Sequence, residues 1–237
     1  MSVYIPPCCT QLSHAWLLPE PLAGACMVSC RFEPSLWQAE QFELAGIPPA
    51  RGLAKRQSEF LAGRVCAREA LAAVHGQRSV PAVGEDGAPC WPSGLCGSIS
   101  HGTGFALAAV AEQSHVRSLG LDIEALLAVE RAERLAGEIH TSAELEPWQA
   151  LDAERRAWLT TLTFSAKESL FKALFPLVQR RFYFQDAELL DWQPDGRLRL
   201  RLLIDLHADW PAGAMVSGQY AEFDGRLLTL LTVPSEH

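Results

Sequence analysis

Between residues 55 and 75 apolar positions recur at helical spacing, with Phe60, Leu61, Val65, Leu71 and Val74 on the repeat and Gly76 stopping it. That pattern predicts a helix. A longer helix is predicted over 152–175, where Leu162, Ala166, Leu170 and Ala173 form an inward stripe and Pro176 closes the element. Shorter helices are read at 35–45, 126–139 and 142–150. Strand-like apolar segments occupy 25–32, 98–111, 118–124, 181–192, 197–206 and 216–233, with Asp195-Gly196 and Asp224-Gly225 as turn signals. Helices and strands mix without strict β-α-β alternation, so the expected class is α+β, in two intimate halves that meet near 110–118.

Composition narrows the classes. The chain has 237 residues, 49% hydrophobic and 20% charged, an ordinary globular balance that excludes a disordered, collagen-like or coiled-coil chain. Apolar runs fall short of the ~20 residues that span a bilayer. Pro6, Pro7, Pro19 and Pro21 break any signal-like apolar stretch, and Arg31 is the first basic residue, so a cytoplasmic protein is expected. The seven cysteines form no Cys-x-x-Cys pair, and Cys26 and Cys30 have no second pair beside them to complete a zinc site. They read as small buried apolar residues.

A net charge of −8 argues against a nucleic-acid partner, but the charge is uneven. Residues 51–68 hold Arg51, Lys55, Arg56, Arg64 and Arg68 against Glu59 alone, while 118–154 hold nine carboxylates against Arg131 and Arg134. Such a pairing suits a phosphorylated ligand with a metal ion, and equally two solvated helix faces.

Three clusters carry candidate chemistry. In Gly120-Leu121-Asp122-Ile123-Glu124, strand alternation sends both carboxylates off one face, where a hard divalent cation would relieve their repulsion. In the stretch Phe164-Ser165-Ala166-Lys167-Glu168-Ser169-Leu170-Phe171-Lys172, Glu168 and Lys172 are four apart, ordinarily a stabilising pair worth ~0.2–0.5 kcal/mol. Yet two of only three lysines, beside 17 arginines, lie in these nine residues, which suggests that a point-charge ammonium is wanted. Gly97-Ser98-Ile99-Ser100-His101-Gly102-Thr103-Gly104 offers small residues and hydroxyls to phosphate oxygens, without the ending of a Walker loop.

Taken in this order, SISHG, GLDIE and FSAKESLFKAL resemble the signature of the 4′-phosphopantetheinyl transferases, in the large type associated with surfactin and enterobactin synthetases. KRQSEFLAGRVCAREAL at 55–71 and GAPCWPSG at 87–94 extend the likeness toward the branch of enterobactin synthetase component D and the pseudomonad carrier-protein synthases.

The resemblance implies a pseudo-dimeric fold of two similar α/β halves, 1–112 and 113–237, with the active site between them. It implies transfer of 4′-phosphopantetheine from coenzyme A to a serine of apo acyl or peptidyl carriers, with release of 3′,5′-ADP. On the matching positions, Asp122, Glu124 and Glu168 would hold Mg²⁺, with Mn²⁺ as the alternative. Glu168 would take the serine proton, and Lys172 would offset charge on the pyrophosphate. Arg56 and Arg64 would clasp the nucleotide end of coenzyme A, Ser100 and His101 its phosphates, and Lys167 the bound nucleotide. Arg51 and Arg68 read as surface charges instead. Ala88 stands where relatives carry a basic residue, which leaves Arg78 as the substitute phosphate contact. Carriers are acidic around their serine, so an apolar surface with local basic groups is expected to receive them, with 125–160 as the candidate segment and a monomer as the working unit. A metal-dependent phosphohydrolase and an inactive carrier-binding protein are the rival readings.

Overall fold

The helical repeat beginning near Lys55 becomes α2 (Ala54–His75) in the computed structural model, which describes residues 4–235. The chain divides into two compact units, one built from residues up to 17 and from 21 to 116, the other from 18–20 and from 117 onward.

In the first unit β1 (Cys9–Ser13) and β2 (Ala25–Phe32) precede α1 (Glu40–Ala45) and α2. A two-residue ladder of β3 (Ala82–Val83) and β4 (Pro89–Cys90) follows, then β5 (Leu95–Gly102) and β6 (Phe105–Glu112). The main sheet is antiparallel, in the order β1-β2-β6-β5. The segment 98–111, read as one strand, is a hairpin: His101 pairs with Ala106, and Gly104 turns the chain at φ +67. The turn was hidden because β6 is buried on both faces, so its sequence is apolar throughout and carries no alternation. The stretch 35–45 is likewise divided, into a 3-10 turn at Pro34–Leu36 and α1.

Every residue of α2 from Leu61 to Leu71 is buried, charged ones included. Arg68 is therefore internal rather than a surface charge. Its Nε donates to Glu69 Oε1 at 2.8 Å, and its Nη1 and Nη2 donate to the carbonyls of Ala45 and Tyr4. Arg78 Nε donates to the other oxygen of Glu69. The same core holds Cys8, Cys9, Cys30 and Cys66, with Cys30 Sγ 3.5 Å from Cys66 Sγ and Cys8 Sγ 3.8 Å from Cys9 Sγ.

The second unit opens with β7 (Val116–Ala125), then α3 (Val129–Ile139), α4 (Ser142–Gln149) and α5 (Ala153–Val178). Four strands complete it: β8 (Ala187–Trp192), β9 (Arg197–Leu202), β10 (Met215–Phe223) and β11 (Arg226–Pro234). Their sheet runs β7-β11-β10-β9-β8. The stripe Leu162, Ala166, Leu170 and Leu174 of α5 packs on Leu198, Leu200, Leu227 and Leu231. Each such leucine contributes about 1.5–3 kcal/mol by leaving water.

Three boundaries moved. Pro176 lies inside the last turn of α5, where its missing N–H removes a single bond, and the helix stops instead at left-handed Gln179. Residues 181–186 are not strand, because Asp186 Oδ2 accepts from Tyr183 N at 2.7 Å and folds them into a 3-10 turn. α3 begins at Val129, since Leu126 N donates to Gly225 O and Leu127 N to Thr161 Oγ1.

β7 and α5 meet at Gly120. A Cβ there would stand 1.9 Å from Ser169 O and 2.5 Å from Ala173 N, so only hydrogen fits between strand and helix. Gly120→Ala is expected to lower stability by at least about 3 kcal/mol, read as a shift in the urea midpoint, because rigid backbone cannot yield as a side chain would.

Candidate active site

Strand alternation puts Gly120, Asp122 and Glu124 on one side of β7, and the close approach at Gly120 brings Lys172 of α5 against it. Lys172 Nζ donates to Asp122 Oδ1 at 2.7 Å and to Leu121 O at 3.1 Å. Asp122 is 4% exposed, while Glu124 and Glu168 are half-buried. Burial, reinforced by the charge of Asp122, pushes the Glu124 carboxyl up to about 7 against the opposing pull of Lys172. Burial also raises Glu168, again opposed by Lys172 and aided by Asp122. One electrostatic field thus couples the carboxylates of β7 and α5 to a single ammonium.

Among the described residues no three His, Cys, Asp or Glu side chains form a ready-made metal group. The donor chemistry nonetheless fits a hard cation. All three side chains offer oxygen, and burial holds two of them above the ordinary carboxylate value.

A second set lies in the first unit. Arg56, Phe60 and Arg64 fall four apart along α2 and so share a face. Arg64 is 5% exposed, its Cζ sits 5.0 Å from the Phe60 ring centroid, and its Nη1 meets no hydrogen-bond acceptor among the described residues. Burial lowers its pKa from the usual arginine value. Arg56 is exposed. His101 faces the same helix, with Nδ1 3.9 Å from Glu59 Oε2. Ser100, next along β5, is buried and points to the opposite face of the sheet.

Lys167 departs from expectation. Its Nζ is buried and donates to Ile139 O at 2.8 Å, Glu144 Oε2 at 2.7 Å and Phe184 O at 2.9 Å. All three N–H groups are used inside the unit, so Lys167 is a structural cation and not a nucleotide contact. The sequence reading did not single out Glu144. Its oxygens also accept from Thr141 N at 2.7 Å and Leu189 N at 2.6 Å, tying α4 and β8 to α5. The Thr141-x-x-Glu144 capping box was the available signal. Beside Lys167, His140 is fully buried with Nε2 3.1 Å from Thr160 Oγ1. A cavity lined by Glu168, Phe171, Arg181, Phe182, Tyr183 and Phe184 also went unnoticed, because 181–184 read as strand.

Comparison with known proteins matches both units. The family profile described as 4′-phosphopantetheinyl transferase N-terminal domain matches residues 44–111, and that of the 4′-phosphopantetheinyl transferase superfamily matches 118–221. The chain is 38% identical over 181 residues to 4′-phosphopantetheinyl transferase Svp of Streptomyces mobaraensis, covering 75% of this chain and 69% of the relative. It is 33% identical over 194 residues to 4′-phosphopantetheinyl transferase PptT of Mycobacterium tuberculosis, covering 78% and 82%. Enterobactin synthase component D of Escherichia coli K12 is 38% identical over 177 residues, covering 73% and 81%.

Two outcomes follow from the buried charges. Lys167→Met leaves the Glu144 carboxylate buried without its cation and is expected to cost about 3–5 kcal/mol in a urea titration. Burial lowers His140 to about 4, with Lys167 adding to the effect. The unfolded chain therefore takes up a proton near pH 6.5 that the folded chain refuses, and stability present at pH 7 is lost on acidification. The His140 share of that loss is about 2 kcal/mol between pH 7 and pH 5. His140→Gln should remove it, leaving a shallower acid limb in the same titration.

Proposed function

We propose a site chemistry for a chain that belongs to the 4′-phosphopantetheinyl transferase superfamily and moves 4′-phosphopantetheine from coenzyme A to a serine of a carrier protein. In that reaction the serine oxygen forms a bond to the pantetheine-side phosphorus. The bond to the bridging oxygen breaks, 3′,5′-ADP leaves, and the serine proton passes to a base. The difficulty is to bring an alcohol against concentrated negative charge.

The observation that carries the assignment is the 2.7 Å contact of Lys172 with Asp122, which joins the two motif-bearing elements at one point. Glu168, one turn before Lys172 on α5, is the proposed base, and burial, by raising its carboxyl, makes it a better proton acceptor than an ordinary glutamate. Lys172 is the proposed counter-charge for the pyrophosphate. Asp122, Glu124 and Glu168 would hold Mg²⁺ or Mn²⁺, a cation that supplies charge neutralisation to the phosphoryl oxygens when bound. Arg64 supports the nucleotide assignment most directly, since a buried guanidinium with an unfilled donor calls for an anion. His101, Ser100 beside it on β5 and exposed Arg56 complete the proposed phosphate contacts. A monomer acting in the cytoplasm is the corresponding proposal for the protein as a whole. No helix of the described residues is long and apolar enough to cross a membrane.

The test is intact-mass spectrometry of an apo acyl carrier and an apo peptidyl carrier incubated with the protein, coenzyme A and Mg²⁺. Each client should gain ~340 Da, the mass of one phosphopantetheine. EDTA should abolish the gain. Glu168→Gln should reduce its rate at least about a hundredfold while leaving the circular-dichroism spectrum unchanged. A wild-type rate from that variant would reassign the base.

A further inference from the structure

We propose that Arg181 is a specificity residue for the carrier protein, placed at the mouth of the cavity beside Glu168; this rests on the transferase reading above. The walls of that cavity are aromatic. Phe171 and Phe182 have ring centroids 5.4 Å apart, and Phe184, whose ring is backed by Phe164, completes the lining. Its mouth is different. Tyr183 is 73% exposed, and Arg181 beside it is exposed, with no hydrogen bond or ion pair among the described residues. Neighbouring Arg180 already donates from Nη1 to Asp205 O at 2.7 Å, and Asp186 is engaged by Tyr183 N, so the mouth presents one unengaged guanidinium next to an exposed phenol. Arg and Tyr together are the side chains most used to anchor protein partners.

Charge selects the partner. The protein carries −8, so no long-range attraction draws in an acidic carrier. Residues 125–160, the segment the sequence suggested, hold seven carboxylates against four arginines and would repel it. The serine must nevertheless come within reach of Glu168, and Arg181 is the unengaged cation that lines the cavity there. Arg181 meets a carboxylate near the carrier serine, and Tyr183 covers the apolar surface beside it.

Steady-state kinetics with a purified apo acyl carrier test this, alongside calorimetry of coenzyme A. Arg181→Glu is expected to raise KM for the carrier about tenfold, the effect of reversing one exposed charge pair. Arg181→Lys should recover most of the loss. Added salt should raise KM for the unaltered protein and much less for Arg181→Glu, because an exposed pair is screened. The Kd for coenzyme A should not move. An unchanged carrier KM in Arg181→Glu overturns the assignment, and so does a weakened Kd for coenzyme A, which would make Arg181 a nucleotide contact. Absence of transfer by the unaltered protein overturns the transferase reading and this assignment with it, whereas transfer with a KM indifferent to Arg181 overturns the assignment alone.

Discussion

The chemistry of the second unit depends on how closely a strand can pass a helix. β7 and α5 are joined where Gly120 faces the backbone of Ser169 and Ala173, at a separation that excludes a methyl group. Two residues along β7 stands Asp122, and three residues along α5 from Ser169 stands Lys172; their ion pair is the immediate product of that approach. The leucine stripe beneath α5 supplies the adhesion, but leucines alone would tolerate a wider gap. The absent side chain sets the spacing, and the spacing sets the electrostatic coupling of Glu124, Glu168 and Lys172.

Both units place charge where water does not reach, with opposite outcomes. Lys167 is satisfied by three acceptors, and its partner Glu144 by three donors, so that pair acts as a fastener among α3, α4, α5 and β8. Arg64 is comparably buried and left one donor short. A satisfied buried ion is architecture. An unsatisfied one keeps a donor open to an acceptor, which is why the two cations, both advanced from sequence as ligand contacts, carry different readings.

Much of the fold was legible because its main helices obey a 3.6-residue repeat over five turns or more, and α2 and α5 stand within a few residues of their expected bounds. The motifs of the candidate site were legible as local strings. What escaped was set by partners distant in sequence or by missing alternation. The hairpin of β5 and β6 was lost in the apolar run of β6. The partner of Lys167, Glu144, lies 23 residues upstream, and no spacing rule links them. The aromatic cavity was hidden because Phe182 and Phe184 look like a strand's alternate positions, while Asp186 folds that segment into a turn.

The four core thiols of the first unit have a consequence for the life of the molecule. Hydrogen bonding to Cys66 together with burial raises the Cys30 thiol, and hydrogen bonding to Cys9 with burial raises Cys8, so neither forms thiolate while the core is closed. An oxidant consumes thiolate, and for Cys8 and Cys30 thiolate appears only when the core opens. Oxidation of these core thiols, unlike that of exposed Cys90, is therefore clocked by the opening of the first unit, and any ligand that slows opening also protects them.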